Sequence, residues 1–556
     1  MVISRWRLLV LGLVFVGACL GAAAQRKPLE PVDGKIGIFD LRQIRAVPLE
    51  PEILSKTEDG TVITEEFRIT GRPGVRVFGY LSYPKGAKGC PCNVLVRYTG
   101  AESRKSDAKN GFVGISISAP DGNTDPKKKA SLGGPLFKQD FKDDPEQSWI
   151  YHHVVALIRT LDYLETRPEV NMQKVVVMGF SWAGYITALL HALDNRPCAY
   201  ISWHGTGYFA DAKGLSGDKP SLISRKHYEM YAPSAYARYG AQPLFVGTAI
   251  TDYFATLDGL ICMWEELRCP KGLSVAPNRY HASTSRDEFR GSGSWAWHWQ
   301  GDGPALPTVT DGSVSVRDKR LIYTFACTTA EPPTYVEVLY SYGAPGHWTG
   351  RTWHRKAAVK TATGYECELP VYDPAVPLYA LAQVETKTLG AWANTPQAVA
   401  PMKLGITAAT ATYSKLLYNF EDKSDLYIPA GTPTFIPDAP EGQTAASIAP
   451  FHDGTVHLLN LEPYFWKDAK ELRFFLKGDG QPGPINVYVV TDTNYWLDHE
   501  RKNYTKFTLV GADEAFAPTW KEYVIPLKKV ANLDRVDCLF FEVGTRPLLI
   551  DAVRVQ

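Results

Sequence analysis

The chain has 556 residues, a length that calls for about two to four separate cores. At 45% hydrophobic and 21% charged, with 14 Trp, 29 Tyr and 23 Phe, its composition excludes a chain held open by its own charge. A formal charge of +1, which becomes −1 without Arg5 and Arg7, argues against nucleic acid or an anionic membrane as partner.

Residues 1–24 read as an export signal. Arg5 and Arg7 form the basic start, Leu8 to Val16 the apolar run, and Ala22-Ala23-Ala24 a small-residue cleavage site before Gln25. The apolar run is too short for a membrane span. Within it, Val16-Gly17-Ala18-Cys19 resembles a bacterial lipobox, so a lipid anchor at Cys19 is the competing fate. Either way the mature protein is expected outside the cytoplasm, secreted or periplasmic.

Residues 25 to 60 are mixed and proline-bearing, and read as an N-terminal arm. Alternating strands follow at Val62 to Ile69 and Val75 to Tyr83, then Cys92 to Tyr98 and Phe112 to Ser118. Asn123 to Gln147, with Lys127-Lys128-Lys129, lacks periodicity and reads as a long loop. Ser148 to Arg167 repeats Ile150, Val154, Leu157, Ile158, Leu161 and Leu164 at helical spacing. Val175 to Met178 is wholly apolar, as a strand buried on both faces would be, and Ser181 to Leu193 returns to helix. Ala199 to Trp203, Pro243 to Thr248 and Leu273 to Ala276 read as strands, and Leu257 to Leu267 as helix. This alternation predicts a doubly wound parallel α/β sheet over residues 25–305, the arm included.

Beyond residue 305 the helical period is lost. Leu321 to Cys327, Tyr335 to Tyr342 and Leu378 to Val384 predict a small immunoglobulin-like β-sandwich over 306–405. A second all-β block, 412–556, holds Leu472 to Leu476, Ile485 to Val490, Lys521 to Ile525, Leu539 to Val543 and Leu548 to Val555. Cys262 with Cys269 and Cys327 with Cys367 are candidate disulfides in an exported chain, with buried free thiols as the alternative.

The chemistry centres on Val175-Val176-Val177-Met178-Gly179-Phe180-Ser181-Trp182-Ala183-Gly184. An apolar strand enters Gly-x-Ser and turns at once into a helix, the context that lifts a serine hydroxyl above a sheet. Ala183 stands where Gly-x-Ser-x-Gly has its second glycine, and Gly184 follows. A serine alkoxide needs a base, and the base needs a carboxylate to orient it. Asp252 falls just after the strand ending at Thr248, and His281 just after the strand ending at Ala276, giving the chain order Ser, Asp, His. Asp258 is the rival carboxylate, and His152, His153, His191 and His204 are rival bases. Trp182 N–H is the expected first oxyanion donor, and Gly100 or Ala101, after the strand ending at Tyr98, the second. No phosphate-cradling loop or metal-ligand spacing occurs, so neither a cofactor nor a metal is expected.

Residues 60 to 285 resemble the α/β-hydrolases grouped around acetyl xylan esterases, cephalosporin-C deacetylases and dienelactone hydrolases. The residues that carry this are Arg167-Pro168-Glu169-Val170-Asn171, Gly179-Phe180-Ser181, Gly247 through Asp252, and Pro277-Asn278 through His281. Pro277-Asn278 with His281, and Pro233 to Tyr239, also resemble the PhoPQ-activated pathogenicity-related proteins. The resemblance implies Ser181 as nucleophile, His281 as base and Asp252 as orienter; with the export signal, the chain reads as an exported serine esterase, expected to act on acylated carbohydrate. Trp182 and Ala183 depart from the acetyl-esterase pattern of Gln and Gly after the serine. Residues 412–556, from Tyr418-Asn419-Phe420-Glu421 to Leu549-Ile550-Asp551-Ala552-Val553, resemble galactose-binding-like or carbohydrate-binding sandwiches. The expected partner is an acylated small molecule or polysaccharide. Two alternatives are a prolyl-oligopeptidase-type peptidase and a carbohydrate-binding protein on an inactive hydrolase scaffold. The indoles of Ser294 to Trp299 and of Gly346 to Trp353 suit stacking on sugars, or packing between domains.

Overall fold

A computed structural model describes residues 34–97, 100–118, 143–206, 225–252, 254–281, 286–343, 346, 348–421, 433–491 and 503–556. The export signal, Cys19, the 127–129 lysines, Tyr98, His347 and most of the 123–147 loop lie outside these residues.

The central sheet has nine strands: β1 (Glu52–Asp59), β2 (Val62–Arg72), β3 (Val75–Pro84), β4 (Cys90–Val96), β5 (Val113–Ile117), β6 (Val170–Phe180), β7 (Ala199–Trp203), β8 (Leu244–Ala249) and β9 (Lys271–Ala276). Their order is β9-β8-β7-β6-β4-β5-β3-β2-β1. β4 to β9 pair in parallel, while β1, β2 and β3 run antiparallel at one edge. The sheet is therefore mixed, not wholly parallel. A two-residue turn at Pro73-Gly74, with Gly74 at φ +75°, can join only antiparallel neighbours. β1 is a second departure, because the arm supplies this edge strand; its side chains are exposed or half-buried, so no alternation marks it.

The main helices are α1 (Trp149–Glu165), α2 (Trp182–His191), α3 (Leu257–Glu266) and α4 (Arg286–Trp299). Alternate residues of β6 serve opposite cores. Val175 and Val177 join the cluster that holds α1, α2 and α3, while Val176 joins Trp203, Phe245 and Trp295 of α4 on the other face. Among the described residues no helix is long and apolar enough to cross a membrane.

Two all-β blocks follow. In the first, strands Arg320–Phe325 and Tyr365–Leu369 lie in one sheet and Pro333–Tyr342 and Leu378–Thr386 in another, and both send residues into one apolar cluster. In the second, a six-stranded sheet with Leu548–Val555 and Glu471–Lys477 shares its core with a four-stranded sheet of Thr455–Leu458, Val536–Glu542, Ile485–Thr491 and Tyr504–Val510. The first block is joined to the nine-stranded sheet without a break: Trp348, Trp353, Tyr379 and Leu381 belong to the cluster of α1 and α2, and Trp392 packs on Phe245 and Trp295. Most of the indoles in the two aromatic runs are thus packing groups, with Trp297 the exposed exception. Among the described residues eight cysteines are present and none is bridged, so neither candidate disulfide forms. Cys262 is buried in α3 while the Cys269 thiol sits against His191, and Cys327 and Cys367 lie in different strand ladders.

Gly247, in the middle of β8, lies against the buried indole of Trp203; a Cβ there would come within 2.2 Å of the ring. Gly247→Ala is expected to lower stability by about 1–3 kcal/mol through overpacking, read as a fall in the denaturant midpoint at unchanged slope.

Candidate active site

β6 ends in a forced turn. Ser181 has φ 60° and ψ −127°, a strained conformation for a residue with a side chain, and it caps α2 from outside the helix. Three contacts hold it there. The Ser181 N–H donates to Trp203 O on the neighbouring strand at 2.8 Å. A Cβ on Gly179 would lie 2.3 Å from Ala183 O, and one on Gly184 would lie 2.2 Å from Trp203 O. The close approach that demands glycine after the serine therefore falls on Gly184. Ala183 fits in a buried position, and its carbonyl accepts from Thr187 Oγ1 at 2.7 Å.

Ser181 Oγ lies 2.6 Å from His281 Nε2. His281 Nδ1 in turn lies 3.0 and 2.9 Å from the two oxygens of Asp252. Asp252 follows β8 and is fully buried; its Oδ1 also accepts the Phe254 and Ala255 N–H groups at 2.6 and 3.1 Å. Burial by itself would push this carboxyl up. The facing His281 and the hydrogen bonds from His204 and His281 outweigh it and hold the group well below the usual carboxylate range. A further imidazole completes the cluster: His204 Nδ1 makes a short hydrogen bond to Asp252 Oδ2.

The histidine loop is clamped from outside its own sheet. Asn278, at φ 52°, donates through Nδ2 to Trp353 O at 2.8 Å and accepts Trp353 N–H on Oδ1 at 2.6 Å. Asn460, in the last block, donates to Asn278 O at 3.2 Å. Tyr280 is buried in a cluster with Leu459, Val490, Cys538 and Phe540. Both all-β blocks therefore hold the loop that carries His281.

Comparison with known proteins gives a distant likeness. No protein-family model matches the chain. Acetyl esterase Axe7A of Xylanibacter ruminicola is 23% identical over 241 residues, covering 38% of this chain and 54% of that protein. The chain thus matches about half the length of this curated relative. Among solved structures, acetyl xylan esterase 1 of a Thermoanaerobacterium species aligns at a TM-score of 0.39 and 16% identity, covering 47% of this chain and 90% of that one. A putative dienelactone hydrolase of Klebsiella pneumoniae aligns at 0.32 and 19%, covering 43% of this chain and 98% of that one. The chain resembles the α/β-hydrolases.

The remaining candidates from the sequence have separate places. Trp182 opens the first turn of α2, with its N–H at the positive end of the helix. Gly100 lies beyond β4, while the Ala101 N–H is engaged by Ser118 Oγ at 2.9 Å. Asp258 lies inside α3 and accepts the Trp348 indole N–H at 2.7 Å. His152 is bonded to Glu146 O, His191 to Gln242 O, and His153 is buried in α1, where burial pushes it down to about 3. His204 alone among the rivals reaches the site, and it does so at Asp252, not at the serine. Chain order gave no reason to place it there, although its position directly after a strand was a usable signal. Ligand atoms of His204, Asp252 and His281 lie within 4.8 Å of one another, a spacing a metal could also bridge. Their hydrogen bonds, however, need protons on the two nitrogens that face the carboxylate, which leaves no bare lone pairs converging there.

Two measurements probe this arrangement. A carboxyl lowered in the folded state contributes stability above its unfolded value of about 3.9, and loses it as pH falls further. The stability difference between wild type and Asp252→Asn should therefore narrow as pH drops below about 4. A difference constant with pH would contradict the depressed carboxyl. Asn278→Ala strands the buried N–H and C=O of Trp353, and a stability loss of about 1–3 kcal/mol is expected by denaturant titration.

Proposed function

We propose that this chain is an exported serine carboxylic-ester hydrolase that removes acyl groups, acetyl foremost, from carbohydrate. The observation that carries the reading is the continuous hydrogen-bonded run Ser181 Oγ, His281 Nε2, His281 Nδ1, Asp252, drawn from the ends of β6, β9 and β8. His281 Nε2 takes the Ser181 proton as the oxygen attacks the acyl carbonyl, and Asp252 keeps Nδ1 protonated and the ring in place. The tetrahedral oxyanion is received by Trp182 N–H and by a second donor from the loop after β4. Since the Ala101 N–H is engaged by Ser118, Gly100 is the better candidate for that donor. His281 then protonates the leaving alcohol, and water, deprotonated by the same imidazole, releases the acid from Ser181.

The named activity of the Xylanibacter relative supports acetyl transfer to water, and the exposed ring of Phe180 beside Ser181 offers an apolar wall for a small acyl group or a sugar face. In this reading residues 1–24 direct export, with acylation at Cys19 as the other fate. Residues 25–305 form the doubly wound hydrolase domain, 306–405 an immunoglobulin-like sandwich and 412–556 a carbohydrate-binding-like sandwich. The substrate is an acylated small molecule or polysaccharide.

Acetate release from acetylated xylan and from a small chromogenic acetate ester, compared with Ser181→Ala, tests the reading. The variant should lose at least about 10³-fold in kcat on both substrates. Equal activity in the two proteins removes Ser181 from the chemistry, and peptide amides then become the next substrates to try.

A further inference from the structure

Asp252 is shared by two imidazoles, and the esterase chemistry uses one of them. The other, His204, is placed with care. It follows β7 at φ +50°, its N–H donates to Gly247 O at 2.7 Å, and the preceding residue supplies the carbonyl that pins Ser181 N–H. The next residue, Gly205, has no room for a side chain, since a Cβ would lie 2.2 Å from the Gly184 carbonyl carbon. The turn is thus built against the first turn of α2, and it delivers the imidazole to Asp252.

We infer that His204 is a positioning residue, whose Nδ1–H donates to Asp252 Oδ2, fixes the plane of that carboxylate for His281 and tempers its negative charge. The inference rests on the esterase reading of Ser181, Asp252 and His281. A carboxylate only accepts, so the proton of this bond sits on His204 Nδ1. Burial, the largest influence, lowers the affinity of the ring for a second proton, which favours the neutral ring with its lone pair on Nε2. That nitrogen is buried and has no hydrogen-bond partner among the described residues. Among the described residues, Asp252 from the loop after β8 and His281 from the loop after β9 are the ionisable groups that face it, and the rings of Phe180 and Trp203 lie beside it.

The consequence concerns the resting enzyme. An unshared carboxylate would stabilise the His281 imidazolium before substrate arrives and take the base out of action as pH falls. A second donor on Oδ2 weakens that pull while leaving the geometry intact.

The test compares wild type, His204→Phe and His204→Asn on a small chromogenic acetate ester across pH. With Phe, the acid limb of kcat/KM should move up by about half a unit to one unit, a loss of roughly three- to tenfold at the acid end beyond any change on the plateau. With Asn, whose side-chain N–H can occupy the place of Nδ1–H, the limb should stay near wild type. A uniform loss without a limb shift, or an equal shift in both variants, overturns the inference. Nitrogen NMR of wild-type protein labelled in histidine, assigned by the loss of one spectrum in His204→Asn, gives a readout that needs no turnover. An Nδ1-protonated neutral His204 supports the inference, and an Nε2-protonated or cationic one overturns it. Should the ester not be hydrolysed at all, the esterase reading fails while the tautomer is still measured.

Discussion

A carboxylate cut off from water must find a donor for each exposed lone pair, and Asp252 finds its donors in separate stretches of chain. Two are the backbone N–H groups of Phe254 and Ala255, which wrap the side chain within its own loop. The others are imidazoles that arrive from the ends of β7 and β9. These strands flank β8 on either side, so the parallel register of three neighbours is what delivers four N–H groups to one point. If the register slipped by one residue, the strand-end loops would present different side chains there. The charge at the centre and the order of the sheet are therefore one constraint seen at two scales.

The same logic governs the serine. Its backbone is strained, and a strained residue persists only where its surroundings over-determine it. Here the over-determination is a close contact between chains: Gly179, Gly184 and Gly205 let β6, β7 and the start of α2 approach to distances that no Cβ would permit. The Trp203 carbonyl holds the Ser181 N–H, and His204, just past that strand, holds Asp252. One short turn after β7 thus braces both ends of the proposed relay.

Much of the central sheet was legible because its strands are buried on both faces and read as unbroken apolar runs, as Val175 to Met178 does. Ala199–Trp203 was legible to the residue. β1 was not, since an edge strand with solvated side chains has no pattern to show. α4 was missed for a different reason: Gly291, Ser292, Gly293 and Ser294 depress helical propensity, and the helix persists because Trp295 packs on Phe245 and Trp392. At the site, chain order and strand ends were enough to single out Ser181, Asp252 and His281, which the structure brings into one hydrogen-bonded run, while their roles stand as a proposal. The second imidazole on Asp252 depends on a left-handed turn at a histidine, and nothing in the local sequence announces one. The clamp on Asn278 depends on residues 75 and 182 positions away, a separation no motif spans.

That clamp bears on how the protein would wear out. The loop carrying His281 is anchored to Trp353, which packs into the cluster of α1 and α2, and to Asn460 in the last block, which has its own core and so its own opening free energy. An all-β block that loosens at moderate temperature would release the histidine loop while the nine-stranded sheet was still intact. On the proposed function, working lifetime would then follow the opening of that block and not the unfolding of the whole chain.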